Sequence, residues 1–233
     1  SSAASDVYKR QVIKLGNMLR HFYEAEDLLV FGSGYSLALA SYKAMECGKT
    51  GMEFAVGIPG SIGGAVYMNA GAYDGEMQNI VNCVKVMDLQ GNERVLTAEE
   101  LNFGYRKTSL QNSGLIVTEV TLKMPSGNKD EIKSKMDDFS HRRISKQPLE
   151  MPSAGSMFKR PPGYFAGTLI DQAGLKGYTV GGAQISTKHA GFVVNVGGAT
   201  AADVLQLIKD VQTKIKAGVG VELQPEVLVI GEE

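Results

Sequence analysis

Cysteine is scarce in this chain of 233 residues: Cys47 and Cys83 are the two present, without CxxC spacing and without a cluster of histidines beside them. That excludes a disulfide framework and a structural zinc site, and it points to a reducing, cytoplasmic setting. An excess of either charge is also missing, since 24 Lys and Arg stand against 25 Asp and Glu. With no net field, nucleic acid and anionic membranes are excluded as partners, and an anionic ligand has to be held by locally placed cations. No uninterrupted apolar run approaches the ~20 residues that a bilayer span needs, and the N-terminus lacks the basic and apolar regions of a secretory signal. No repeat or low-complexity tract is evident outside residues 1–5. What remains is a soluble chain, long enough for two modest domains, whose partner is expected to be a small molecule.

Glycine is what the chain has in quantity, and its placement is informative. Residues 57–76 read GIPGSIGGAVYMNAGAYDGE. Gly57, Gly60, Gly63 and Gly64 let main-chain N–H groups approach a ligand closely, and Pro59 among them fixes one φ. The segment reads as a shaped loop leading into the apolar run Ala65 to Met68, and it suits something flat or anionic. It is not a Walker loop, because no GK[ST] follows, and it lacks the GxGxxG of a dinucleotide fold.

Up to Met124 the pattern is of short strands and turns with one helical stretch. DLLVFGSG (27–34) is a strand entering a glycine turn, and SLALASYKAMECG (36–48) is a helix stopped at Gly48. NCVKVMDLQGNERVL (82–96) is a hairpin about Gly91 and Asn92, and LIVTEVTLKM (115–124) is another strand. PSGNKDEIKSK (125–135) reads as a linker opening a solvent-facing helix, which sets the expected domain boundary at 125/126. In the second, α+β domain, Thr200 is an N-cap with Asp203 at N3. Val204, Leu207, Ile208, Val211 and Ile215 form one apolar stripe, and Gly218 ends that helix. VELQPEVLVIG (221–231) is expected to be a closing strand, bent or at an edge because of Pro225.

With the glycine loop, FGYRKTS (103–109), PSAGSMFKRP (152–161) and ELQPEV (222–227) stand in the order and approximate spacing of the UDP-N-acetylenolpyruvoylglucosamine reductases. KQP (146–148), GTLIDQAGLKGY (167–178), GGAQIS (181–186) and KHAGFVVN (188–195) extend the likeness, which runs from about Val12 to Gly231. The chain resembles the shorter, second type of that family, because the stretch between Arg106 and Ser156 has no room for the tyrosine-bearing insertion of the first. The resemblance implies an α+β, two-domain flavoprotein. Residues 12–125 would be a vanillyl-alcohol-oxidase-like (PCMH-type) FAD-binding domain lacking its N-terminal subdomain, and 126–233 the substrate-binding domain. Residues 1–11 match nothing expected of the family and are read as a foreign leader. The absent subdomain would carry a second glycine-rich loop for the flavin pyrophosphate.

The same resemblance implies the chemistry: NADPH reduces FAD, and hydride then reaches the enolpyruvyl double bond of UDP-N-acetylglucosamine enolpyruvate, giving UDP-N-acetylmuramate. Hydride attack leaves negative charge beside a carboxylate, so the site needs a cation there and an acid to finish the reaction. By resemblance Arg106 is that cation, Ser156 the proton donor and Glu226 the carboxylate completing the site. Cofactor contacts carried over are Gly57, Ile58, Pro59, Gly60, Ser61, Gly63, Gly64, Asn69 and Ile116. Substrate contacts are Tyr105, Lys146, Arg160, Lys176 and His189. Taken singly, a serine in a turn, an arginine in a surface ion pair or a lysine in solvent is the ordinary reading of these residues. Two alternatives stay open: another flavoprotein of the same cofactor fold, and a cofactor-deficient UDP-sugar-binding fragment.

Overall fold

The computed structural model describes residues 14–229, so the expected leader (1–11) and residues 230–231 of the closing strand lie outside it. The chain divides into two compact units, Ser1–His141 and Arg142–Glu233.

Along the first unit run β1 (Phe22–Ala25), β2 (Leu28–Gly32), α1 (Leu37–Glu46), α2 (Ile62–Tyr67), a small ribbon of β3 (Gly71–Ala72) and β4 (Gly75–Glu76), β5 (Val81–Met87), β6 (Glu93–Thr97) and β7 (Ile116–Lys123). β1, β2, β7, β5 and β6 hydrogen-bond in that order into one antiparallel sheet. β2 reads as an unbroken apolar run because it is covered on both faces, with Leu29, Val30 and Phe31 all buried. The expected hairpin forms between β5 and β6, where the Asp88 carboxylate accepts from the N–H groups of Gln90 and Asn92 and Gly91 takes φ 89°. α1 starts at its Ser36 cap and stops before Gly48, which adopts φ 68°.

α3 (Lys129–Lys146) departs from expectation. Ile132, Met136 and Phe139 are buried with Val56, and Phe139 stacks on Tyr73 at 4.3 Å between ring centroids. The division between units therefore falls inside α3, after His141, rather than at 125/126. Three apolar residues at helical spacing are enough to hold one face of the helix, while most of the remaining positions are polar or charged and exposed.

The second unit contains β8 (Ser153–Ser156), α4 (Ala166–Gln172), β9 (Thr179–Val180), β10 (Ala183–Ile185), β11 (Phe192–Asn195) and α5 (Ala201–Val219). The strand order β8, β11, β10, β9 is again antiparallel. Thr200 and Asp203 close a reciprocal capping box on α5, and Leu207, Ile208, Val211 and Ile215 are buried as the stripe requires. The helix runs past Gly218 and ends at Gly220, where φ 71° turns the chain out of the helix. Residues 221–229 do not form the expected strand: they make one isolated bridge, Phe158 to Pro225. Pro225 has no N–H to donate, so pairing does not propagate through it.

Candidate active site

The glycine loop is built against the end of β2. Gly63 N–H donates to the Ser33 carbonyl at 2.9 Å, Ile62 N–H to Tyr35 at 2.9 Å, and Leu37 N–H to Gly60 at 3.0 Å, so residues 33–37 and 60–63 lie side by side. Gly63 is needed for that approach, because a Cβ there would lie 2.7 Å from the Ser33 Cβ. The other face of the loop is open: a Cβ on Gly60 would meet nothing within 4 Å, and one on Gly64 would touch only the Ser61 hydroxyl at 3.4 Å. Ser61 caps α2 by accepting from Gly64 N–H, while Gly57 and Gly60 take φ 73° and 120°. Pro59 is exposed and Ile58 half-buried, as is Ile116 at the start of β7, paired with Met87. Two residues here escaped the sequence reading. The Ser33 hydroxyl is buried with no hydrogen-bond partner among the described residues. Glu53, 3 % exposed, sits just before the loop and accepts from Thr50 Oγ1 at 2.6 Å and Gly51 N–H at 2.8 Å. Burial pushes its carboxyl up, but these hydrogen bonds and Lys135 outweigh that and hold it below its ordinary value. The Thr50-x-x-Glu53 spacing was the available signal for it.

Arg106 occupies a tight turn in which Gly104 and Lys107 exchange backbone hydrogen bonds at 2.9 and 3.1 Å. Its backbone sits at φ 55°, and its guanidinium donates to the carbonyls of Asn69 (3.4 Å) and Gly71 (3.1 Å) and lies over the exposed Tyr105 ring at 5.1 Å. Asn69 differs from the expected cofactor contact. It is fully buried, and its amide is committed internally, donating to Gly104 O at 3.0 Å and Glu76 Oε2 at 3.1 Å and accepting from Gln78 N–H at 3.0 Å.

In the second unit Ser156 and Glu226 lie on neighbouring segments. Met157, next to Ser156, donates to Gly191 O at 2.9 Å and accepts from Glu226 N–H at 2.8 Å. The Ser156 side is further pinned by Ser153, whose hydroxyl donates to Val193 O and accepts from Gly155 N–H. Ser156 is exposed and Glu226 half-buried. A second group gathers at His189, whose pKa is lowered first by burial and then by the charges of Lys176 and Lys146. Gly191 N–H donates to His189 Nδ1 at 3.1 Å, so the neutral ring carries its proton on Nε2. Lys176 also pairs with Asp171 at 2.7 Å, and Arg160 stacks its guanidinium 3.9 Å over the Phe165 ring. Among the described residues no group of three or more His, Cys, Asp or Glu is arranged to hold a metal, and no helix is long and apolar enough to cross a membrane.

Comparison with known proteins matches both units. Residues 147–230 match the family described as "UDP-N-acetylenolpyruvoylglucosamine reductase, C-terminal domain", and residues 1–97 match the "FAD binding domain" family. The UDP-N-acetylenolpyruvoylglucosamine reductase of Clostridium perfringens is 54% identical over 222 residues, covering 95% of this chain and 73% of that protein. The one from Pediococcus pentosaceus is 51% identical over 205 residues, covering 88% and 68%. The crystal structure of the reductase (MurB) from Thermus caldophilus superposes with a TM-score of 0.80 at 39% identity, covering 93% of this chain and 77% of that one. Identity at this level, over both units and with the fold retained, leaves one assignment: the chain belongs to the UDP-N-acetylenolpyruvoylglucosamine reductase family.

Proposed function

We propose that this chain reduces UDP-N-acetylglucosamine enolpyruvate to UDP-N-acetylmuramate, the step of peptidoglycan precursor synthesis, using FAD and drawing hydride from NADPH. It is a flavin-dependent oxidoreductase. The observation that carries the cofactor part is the loop at Gly57–Gly64: its inner face is closed by Ser33, its outer face is open at Gly60 and Gly64, and a buried hydroxyl beside it lacks a partner among the described residues. A backbone cradle with an unpaired donor fits a flavin diphosphate. Gly57, Ile58, Pro59, Gly60, Ser61, Gly63, Gly64 and Ile116 would line it. When bound, FAD supplies the hydride that adds to the enolpyruvyl double bond.

This chain's own residues then have three tasks. Arg106, held by two backbone carbonyls, would present a fixed positive charge to the substrate carboxylate as negative charge develops beside it. Ser156, exposed on a pinned strand end, would deliver the proton that completes the reduced carbon. Glu226, on the neighbouring segment, would complete the site beside Ser156. Lys146, Lys176, Arg160 and His189 suit the anionic UDP portion, with Tyr105 near the substrate, because a chain whose charges nearly balance must gather cations locally. A vanillyl-alcohol-type oxidase shares the cofactor fold but not the second unit, which matches the reductase C-terminal family over residues 147–230.

The test is anaerobic. The chain is loaded with FAD and mixed first with NADPH, then with the enolpyruvyl substrate, while flavin absorbance and product mass are followed. Bleaching by NADPH and recovery by substrate, with UDP-N-acetylmuramate formed, is the expected sequence. Bleaching without recovery would rule out the reductase reading, and NADH working while NADPH fails would rule out the hydride source.

A further inference from the structure

Arg106 lies in a conformation that its own turn does not favour. In the four-residue turn 104–107 it is the third residue, and its φ of 55° is the left-handed value for which turns of this kind use glycine. A side chain there is strained and persists only where the surroundings over-determine it. The C-terminal end of α2 and the residues after it supply several of those constraints. Asn69 Nδ2 donates to Gly104 O at 3.0 Å, fixing the start of the turn. Gln111 Nε2 donates to Arg106 O at 3.1 Å and to Tyr67 O at 3.3 Å, fixing the strained residue itself to the helix end. Thr108 Oγ1 adds a bond to the same Tyr67 carbonyl at 2.8 Å. The guanidinium then reaches back to the carbonyls of Asn69 and Gly71. Backbone and head of the arginine are thus both referred to the segment that continues directly from the glycine loop.

We propose that Asn69 and Gln111 are positioning residues for Arg106: they bind the arginine's strained turn to the end of α2, so that the cofactor loop and the cation it must work with are set by one rigid element. Neither needs to touch a ligand. Asn69 is fully buried with its amide satisfied at both ends, which suits a brace and not a contact. Gln111 is half-buried and its donors go to backbone oxygens and to Met68 Sδ at 3.6 Å. The inference rests on the reading that Arg106 meets the substrate carboxylate.

The experiment is a double-mutant cycle between Gln111→Ala and Arg106→Ala, read as the rate of flavin reoxidation by the enolpyruvyl substrate. A misplacement of ~1 Å costs up to ~10²-fold in rate, so Gln111→Ala is expected to slow reoxidation by about tenfold while leaving flavin reduction by NADPH unchanged. Arg106→Ala alone should cost more, and the double variant should be no slower than Arg106→Ala, because a brace has no value once its load is gone. Asn69→Asp, which keeps the acceptor for Gln78 N–H but loses the donor to both Gly104 O and Glu76 Oε2, is the second variant, read at a pH where it stays folded by circular dichroism. A readout independent of turnover is the Arg106 Nε–H resonance in the flavin-free chain, assigned by its loss in Arg106→Lys. It should shift and broaden in Gln111→Ala. Full additivity in the cycle, or an Nε–H resonance and a reoxidation rate unchanged in both Gln111→Ala and Asn69→Asp, overturns the positioning role. If Arg106→Ala itself reoxidises at the wild-type rate, the reading of Arg106 fails first and the brace has nothing to position.

Discussion

Ser156 and His189 both sit in the second unit, yet they should respond to different tests. Ser156→Ala removes a hydroxyl proposed as a general acid, and losing such a group costs about 10²–10⁴ in rate. The loss should fall on reoxidation by the enolpyruvyl substrate and spare reduction by NADPH. Stopped-flow absorbance separates the two, and an unchanged reoxidation rate would take Ser156 out of the mechanism. His189 makes a prediction about pH. Burial, then Lys176 and Lys146, hold it below the ordinary 6.5, so the unfolded chain takes up a proton that the folded chain refuses. Its contribution to stability is therefore present above about 6.5 and is lost as pH falls through the folded value. His21 is opposite: the Met18 carbonyl leads in raising it, burial opposes, and Glu119 at 3.1 Å adds to the rise. Its contribution is present below 6.5 and is lost as pH climbs through the raised value. Imidazole resonances titrated by NMR should separate on either side of 6.5, and His189 titrating above it would refute the burial argument. The His189→Asn variant should lose less stability on acidification than the parent does.

Within the cofactor loop the glycines are not equivalent, and helix and strand packing decides which are fixed. A Cβ on Gly63 would collide with Ser33 Cβ at 2.7 Å and Ser33 O at 3.0 Å, whereas one on Gly64 would make ordinary contact with Ser61 Oγ at 3.4 Å. Gly63→Ala should cost about 1–3 kcal/mol, as overpacking does, while Gly64→Ala should be neutral or stabilise α2 by about 0.5–1 kcal/mol. Urea titration of the flavin-free chain measures both, and equal effects would mean the loop does not pack as described. That distinction was invisible in the sequence, because it depends on Ser33 at the far end of β2. What could be read was local and periodic: the α5 stripe with its Thr200 cap, the hairpin at Gly91, the strands of residues 28–32 and 116–123. What could not be read depended on partners distant in sequence. The three buried apolar residues of α3 are diluted by charge, so the helix reads as solvent-facing in sequence, and it is Val56 and Tyr73 that supply its partners. Residues 221–229 had strand composition but form only one isolated bridge, Phe158 to Pro225, because the proline stops the pairing from spreading. At the site, FGYR and AGSMF marked Arg106 and Ser156 by resemblance, whereas Gln111 and Ser33 carry no motif and emerge only from their contacts.

Each unit has its own buried core, one running from Leu29 to Met124 around the five-stranded sheet and another from Met157 to Leu223 around α5. Ligands proposed for the two units should therefore report on them separately. Binding to the native state alone stabilises by about 2.7 kcal/mol when ligand is at 100 times its Kd. Amides that exchange by opening of the unit holding the ligand feel that increment; amides opening independently do not. FAD is expected to slow exchange at residues 31–37 and 57–69, where the loops pair and where Asn69 anchors the Arg106 turn. It should extend into the core strands of the first unit. UDP is expected to act instead at 186–191, where Ser186 Oγ accepts from the N–H groups of Lys188 and His189 and the Gly191 N–H is held by His189. Because the lysines facing His189 lower its pKa, filling that site with a diphosphate should raise it, which gives the UDP arm a second readout in the same titration. Hydrogen exchange followed by mass spectrometry with FAD, with UDP and with neither provides the comparison. UDP protection confined to 57–69, or a His189 resonance indifferent to saturating UDP, would remove Lys146, Lys176 and His189 from the substrate site and leave their cluster a matter of folding alone.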